Sequence, residues 1–137
     1  MHAVETLSVT ATLLGVRDAI LAFEHFGRAH DLPRAVEWRT LLALDEMLSN
    51  IARHGAAVHV DLTFTLDDGA LTVDIGDSGP PFNPLDAPPP DTTSALQIRQ
   101  PGGLGIALVR SLMDETRYER RDNRNCFVMR CRTHADR

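Results

Sequence analysis

Seven of the eight prolines lie between Pro80 and Pro101, and that clustering limits the chain's folding more than any other feature. Proline lacks a backbone N–H and holds φ near −65°, so this segment forms neither regular helix nor interior strand. Pro88-Pro89-Pro90 should run extended. Regular structure must therefore be built before Pro80 and after Pro101. The segment between them is a long loop, and such loops in compact domains are usually functional or disordered.

Upstream of the loop, Val4 to Thr10 alternates as a strand does. Leu13 to His30 turns helical, with Leu14, Val16, Ile20, Leu21 and Phe26 among its apolar positions. Asp31-Leu32-Pro33 breaks that pattern, and Pro33 suits the start of a second helix running to about His54. Val58, Val60, Leu62 and Phe64 then alternate with polar residues, Asp67-Asp68-Gly69 signals a hairpin, and Ala70 to Ile75 returns. Downstream, a glycine-rich start leads into a helix reaching about Met113. Strands follow at Thr116–Arg121 and Cys126–Arg132, joined by Asp122-Asn123-Arg124-Asn125. With 137 residues and no internal repeat, the chain reads as one domain, 1–137. The expected architecture is a two-layer α/β sandwich, its mixed, mostly antiparallel sheet covered on one face by helices.

Residue usage removes several chemistries. All fourteen basic residues are arginine, which excludes a Walker-type phosphate loop, a kinase strand lysine and a Schiff-base lysine. A bound phosphate would have to rely on backbone N–H groups, arginine or a metal ion. Cys126 and Cys131, five apart in a strand, should face opposite ways and suit neither a disulfide framework nor a zinc site. A net charge of −5 argues against direct nucleic-acid binding, although Arg117 to Arg132 is locally basic. No segment reads as a membrane span or a secretion signal, so a cytoplasmic location is expected.

Three short stretches carry the candidate chemistry. On the second helix, Leu41, Leu44, Leu48 and Ile51 gather on one side as a core stripe. Ala43, Glu46, Met47, Asn50 and His54 gather on another, so a carboxylate, an amide and an imidazole recur at i, i+4 and i+8. Gly55 is placed to end this helix. Asp77-Ser78-Gly79 follows a strand, where a carboxylate can accept from an exocyclic amine and a glycine lets a flat ring approach. Gly102-Gly103-Leu104-Gly105 opens a helix, whose N-terminus favours an anion. Each stretch alone fits a plain structural role: a solvated helix face, an Asp turn, a helix start.

In this order, with a long loop between the glycine turns, the three resemble the nucleotide site of the GHKL, or histidine-kinase-like, ATPases. The resemblance is greater to the anti-sigma factor serine/threonine kinases of bacterial partner-switching systems. Glu46-Met47-Leu48-Ser49-Asn50 with His54-Gly55 is similar to their N box, and Asp77 to Pro84 to their first glycine box. Gly102-Gly103-Leu104-Gly105-Ile106 resembles the second, and the match runs over roughly residues 40 to 132.

That resemblance implies a Bergerat-type ATP-binding fold and a set of roles. Glu46 would be the general base, and Asn50 would complete the coordination of Mg²⁺ on the ATP phosphates. Asp77 would hold the adenine amine, with Gly79 giving the base room. His54, Gly102, Gly103, Leu104, Gly105 and Ile106 would lie along the nucleotide, residues 83 to 101 would form a lid, and Arg99 would be a cation near the γ-phosphate. Where relatives often carry a threonine on the last strand near the adenine, this chain has Asn125 and Cys126. The implied partners are a sigma factor, a STAS-domain anti-sigma factor antagonist carrying the substrate serine, and a second copy of the chain. Two other readings stay open: a non-catalytic ATP-dependent binding module, and a detached histidine-kinase catalytic domain.

Overall fold

The computed structural model describes residues 2–86 and 105–134. Five strands and three helices follow the expected order. They are β1 (Ala3–Thr10), α1 (Leu13–Ala29), α2 (Arg34–His54), β2 (His59–Asp67), β3 (Ala70–Asp77), α3 (Gly105–Leu112), β4 (Glu115–Arg121) and β5 (Arg124–Arg132). The sheet order is β1-β2-β3-β5-β4, and all four pairings are antiparallel. The helices lie on one face, as the two-layer sandwich requires.

Period-2 alternation decides which side chains meet the helices. Val60, Leu62, Phe64 and Leu66 of β2, Leu71, Val73 and Ile75 of β3, and Phe127, Met129 and Cys131 of β5 are buried. The intervening Asp61, Asp74 and Arg130 are exposed. Against this face α1 packs its Val16, Ala19, Phe23 and Phe26, and α2 its Ala43, Leu44, Met47, Leu48 and Ile51. Phe23 and Phe64 meet edge to face at 5.2 Å between ring centres. Cys126, half-buried, and Cys131, buried, fall on opposite faces and both are free thiols.

Four details depart from the sequence expectation. Helix α2 is buried on two sides: Ala43, Met47 and Asn50 are as enclosed as the Leu stripe, because α1 and α3 flank it. Val58 precedes β2 and is exposed rather than part of its inward row. Gly55 ends α2 with an ordinary φ of −93°, and the left-handed residue is Ala56 at φ 49°. Glycine is needed at 55 for space instead, since a Cβ there would sit 2.8 Å from the Ile51 carbonyl oxygen and 3.3 Å from the Phe82 ring. Finally, the β4–β5 connection closes in two residues, Asp122 and Asn123, both left-handed at φ 53° and 61°. Asp and Asn tolerate that conformation, and such a turn matches the strand twist. The shorter turn returns Arg124 and Asn125 to β5.

Candidate functional site

The site is built where β3 and α2 end and β5 begins. Beyond Ile75 the inward alternation of β3 continues to Asp77, which is 4% exposed. Counting back from Phe127, the same period places Asn125 inward, and it is 3% exposed. The two are a registered cross-strand pair.

Asn125 uses its amide on four partners. Its Nδ2 donates to Asp77 Oδ1 and to the Pro80 carbonyl, each at 2.9 Å. Its Oδ1 accepts from the Phe82 N–H at 3.0 Å and from the Tyr118 hydroxyl at 2.5 Å. Asp77 Oδ1 also accepts from the Gly79 N–H at 2.8 Å, a short turn that folds the chain back over the strand end. A Cβ on Gly79 would lie 3.1 Å from Ala57 and from Asp77 Oδ1, so glycine permits that close approach. From outside, Arg120 Nη1 donates to the Gly79 carbonyl and Arg124 Nη1 to Ser78 Oγ, both at 2.7 Å. Arg124 Nη2 also meets Asp61 Oδ2 at 2.7 Å.

The chain then crosses to α2. Phe82 sits 6.5 Å from the exposed His54 ring, centre to centre, and against Gly55. The 3₁₀ turn Pro84–Asp86 follows. Asn50, 1% exposed, donates from Nδ2 to the Pro84 carbonyl at 3.3 Å. With its NH₂ so used, its side-chain oxygen is the atom suited to a cation. One loop, 78 to 85, thus links Asp77, Gly79, His54 and Asn50.

Glu46 lies one turn before Asn50 on α2. It lines a groove of about 390 Å³ between α1 and α2, with Arg17, Ile20, Ser49 and Arg53. Its Oε2 is buried and has no hydrogen-bond partner among the described residues. Burial, helped by the neighbouring Asp45, raises its pKa, and Arg53 opposes that rise. A carboxylate oxygen left without a donor is costly in a resting protein, and it is an available proton acceptor. Among the described residues, no cluster of three or more His, Cys, Asp or Glu could hold a metal ion by itself. A single oxygen from Asn50 suits Mg²⁺, which keeps several waters and shares substrate phosphates.

The remaining expected residues are placed only in part. Gly105 is the first residue of α3, and Ile106 packs against the core. Arg99, Gly102, Gly103, Leu104, the Pro88–Pro90 run expected to be extended and all of the expected lid beyond residue 86 lie outside the described residues. Sequence reasoning missed Tyr118 and the Arg120–Arg124 clamp, and it named Phe82 only within the first glycine box, without a role of its own. It placed Asn125 in the connection between the last two strands and noted it as a departure from the family pattern. The alternation back from Phe127 would have placed Asn125 inward.

Comparison with known proteins identifies the family and the fold. Residues 9–131 match the family described as histidine kinase-like ATPase domain. The chain is 31% identical over 131 residues to the serine/threonine-protein kinase BtrW of Bordetella bronchiseptica, covering 91% of each. Its fold is similar to the crystal structure of the RsbU and RsbW domains of a Mycobacterium tuberculosis protein, with TM-score 0.68 and 15% identity. That alignment spans 95% of this chain but only 32% of the other. The SiaB–SiaC complex of Pseudomonas aeruginosa gives TM-score 0.58 at 14% identity, covering 93% and 89%. The catalytic domain of the histidine kinase ThkA gives 0.51 at 15%, covering 94% and 97%.

Proposed function

The chain belongs to the histidine kinase-like ATPase domain family, and from that membership we propose that it is a protein-serine kinase using ATP. Its substrate is a serine on a small STAS-type anti-sigma factor antagonist, and in its other role it holds a sigma factor. It works in the cytoplasm as a homodimer. No helix among the described residues is long and apolar enough to cross a membrane. The observation that carries the kinase reading is Glu46, whose partnerless buried oxygen lies one helical turn from Asn50.

Each residue has a defined task. Asp77 accepts from the adenine amine, at a strand end that Gly79 keeps open. Asn50 offers its oxygen to Mg²⁺, which would neutralise phosphate charge when bound. Glu46 takes the proton of the serine hydroxyl as that oxygen attacks the γ-phosphorus; the bond to the β,γ-bridging oxygen breaks and ADP leaves. His54 and Ile106 flank the nucleotide. With no lysine in the chain, backbone N–H groups at Gly102, Gly103, Leu104 and Gly105 and the guanidinium of Arg99 serve the phosphates.

The test is transfer of labelled γ-phosphate from ATP to such an antagonist. Glu46→Gln keeps the shape and removes the basicity. Transfer should fall by roughly 10²-fold or more while nucleotide binding persists. Equal transfer by both proteins would remove Glu46 as base. No transfer by the wild type to any antagonist would favour a binding module that uses ATP only to set partner affinity.

A further inference from the structure

We propose that Asn125 is the positioning residue of base recognition: its amide locks Asp77 so that a single carboxylate oxygen is presented to an exocyclic amine. The proposal rests on the nucleotide reading and adds to it a residue on a different strand.

A primary amide has two N–H donors and an oxygen that accepts two bonds. Asn125 uses all four, on Asp77, Pro80, Phe82 and Tyr118. A buried group so fully committed has one orientation, because rotating the amide would set its NH₂ against the Phe82 N–H and its oxygen against the Pro80 carbonyl. Its bond to Asp77 falls on Oδ1, the same oxygen that accepts from Gly79. Two donors on one oxygen fix the carboxylate plane and leave Oδ2 for the ligand.

The consequence is selectivity as well as affinity. A fixed lone acceptor rewards a base carrying an amine and gives nothing to one without it. If Asn125 were absent, the carboxylate could turn about its side-chain bonds and its reward for the amine would fall. Phosphate contacts are made elsewhere and would persist.

Two probes separate these effects: ATP, and purine riboside 5′-triphosphate, which differs only in lacking the amine. Binding of each is measured by calorimetry. The wild type should prefer ATP by about tenfold or more, the size of one charge-assisted hydrogen bond. Asn125→Ala should lose most of that preference, through weaker ATP binding, while affinity for the amine-free nucleotide stays within about twofold. In an Asp77→Asn background the same substitution should add little, because it acts through Asp77.

Tyr118→Phe guards against a variant that fails to fold. It removes one bond to Asn125 without touching Asp77, and should lower the preference by about two- to threefold. Equal loss of both nucleotides in Asn125→Ala, or an unchanged preference in Tyr118→Phe, would overturn the role of Asn125. A wild type that binds neither nucleotide, or shows no preference, would overturn the adenine reading and this inference with it.

Discussion

Asp77 and Asn125 face one another across β3 and β5, and the Asn125 amide donates to Asp77 Oδ1 at 2.9 Å. This contact joins residues 48 apart in sequence and sets the direction of the buried carboxylate. It also makes Asp77→Asn an informative substitution. An asparagine at 77 can keep its oxygen toward Gly79 and Asn125 and so preserve the fold. Its NH₂ then stands where the adenine amine would donate, donor against donor. ATP and ADP affinity should fall more than tenfold, on the order of 1.5–3 kcal/mol, by calorimetry. Unchanged affinity would refute the adenine assignment.

Asn50 offers a second test, because its amide divides its work. Nδ2 holds the Pro84 carbonyl, and the oxygen is left for the cation. Asn50→Ala should weaken Mg-ATP binding and phosphoryl transfer by about tenfold or more while leaving binding of metal-free nucleotide far less affected. Titration with and without Mg²⁺ reads the difference. Equal losses in both conditions would assign Asn50 a structural role only.

Glu46 carries a pH signature. Burial, with Asp45, raises its pKa above the ordinary 4.5, so the folded protein holds that proton more tightly than the unfolded chain. The folded state therefore binds more protons between 4.5 and the raised value, and stability falls as pH rises through that window. Denaturant titrations across it should show a shallower fall in Glu46→Gln than in the wild type. Parallel slopes would contradict the raised pKa.

The core prediction concerns Phe64, which is fully buried against Phe23 and Phe26 with ring centres at 5.2 and 5.6 Å. Phe64→Ala should cost about 3–5 kcal/mol of stability, through lost burial and the cavity left behind. Chemical denaturation checks this, and a loss under about 1 kcal/mol would mean that the helices collapse into the gap.

For assembly, light scattering of the purified protein should give twice the chain mass of 15.1 kDa, with and without nucleotide. A strict monomer in both conditions would remove the homodimer from the proposed function.

The sequence by itself determined the periodic elements and the three candidate stretches. Alternation over Val58–Phe64 and helical spacing over residues 34–54 are local properties, written in side-chain hydrophobicity, and the structure follows them within a few residues, with Val58 left outside β2. The order of N box, glycine turn and second glycine turn was likewise enough to point to the family. What tertiary structure alone decided depends on pairing between distant strands. Asn125 reads as a turn residue until left-handed Asp122 and Asn123 tighten the hairpin and bring it into register with Asp77. Glu46 and Asn50 share a helix face in any helical reading, but only packing buries the Glu46 oxygen without a donor and turns the Asn50 amide onto Pro84. Local pattern states which residues can share a face. Hydrogen-bond partners come from elements far apart in the chain, so no local pattern contains them.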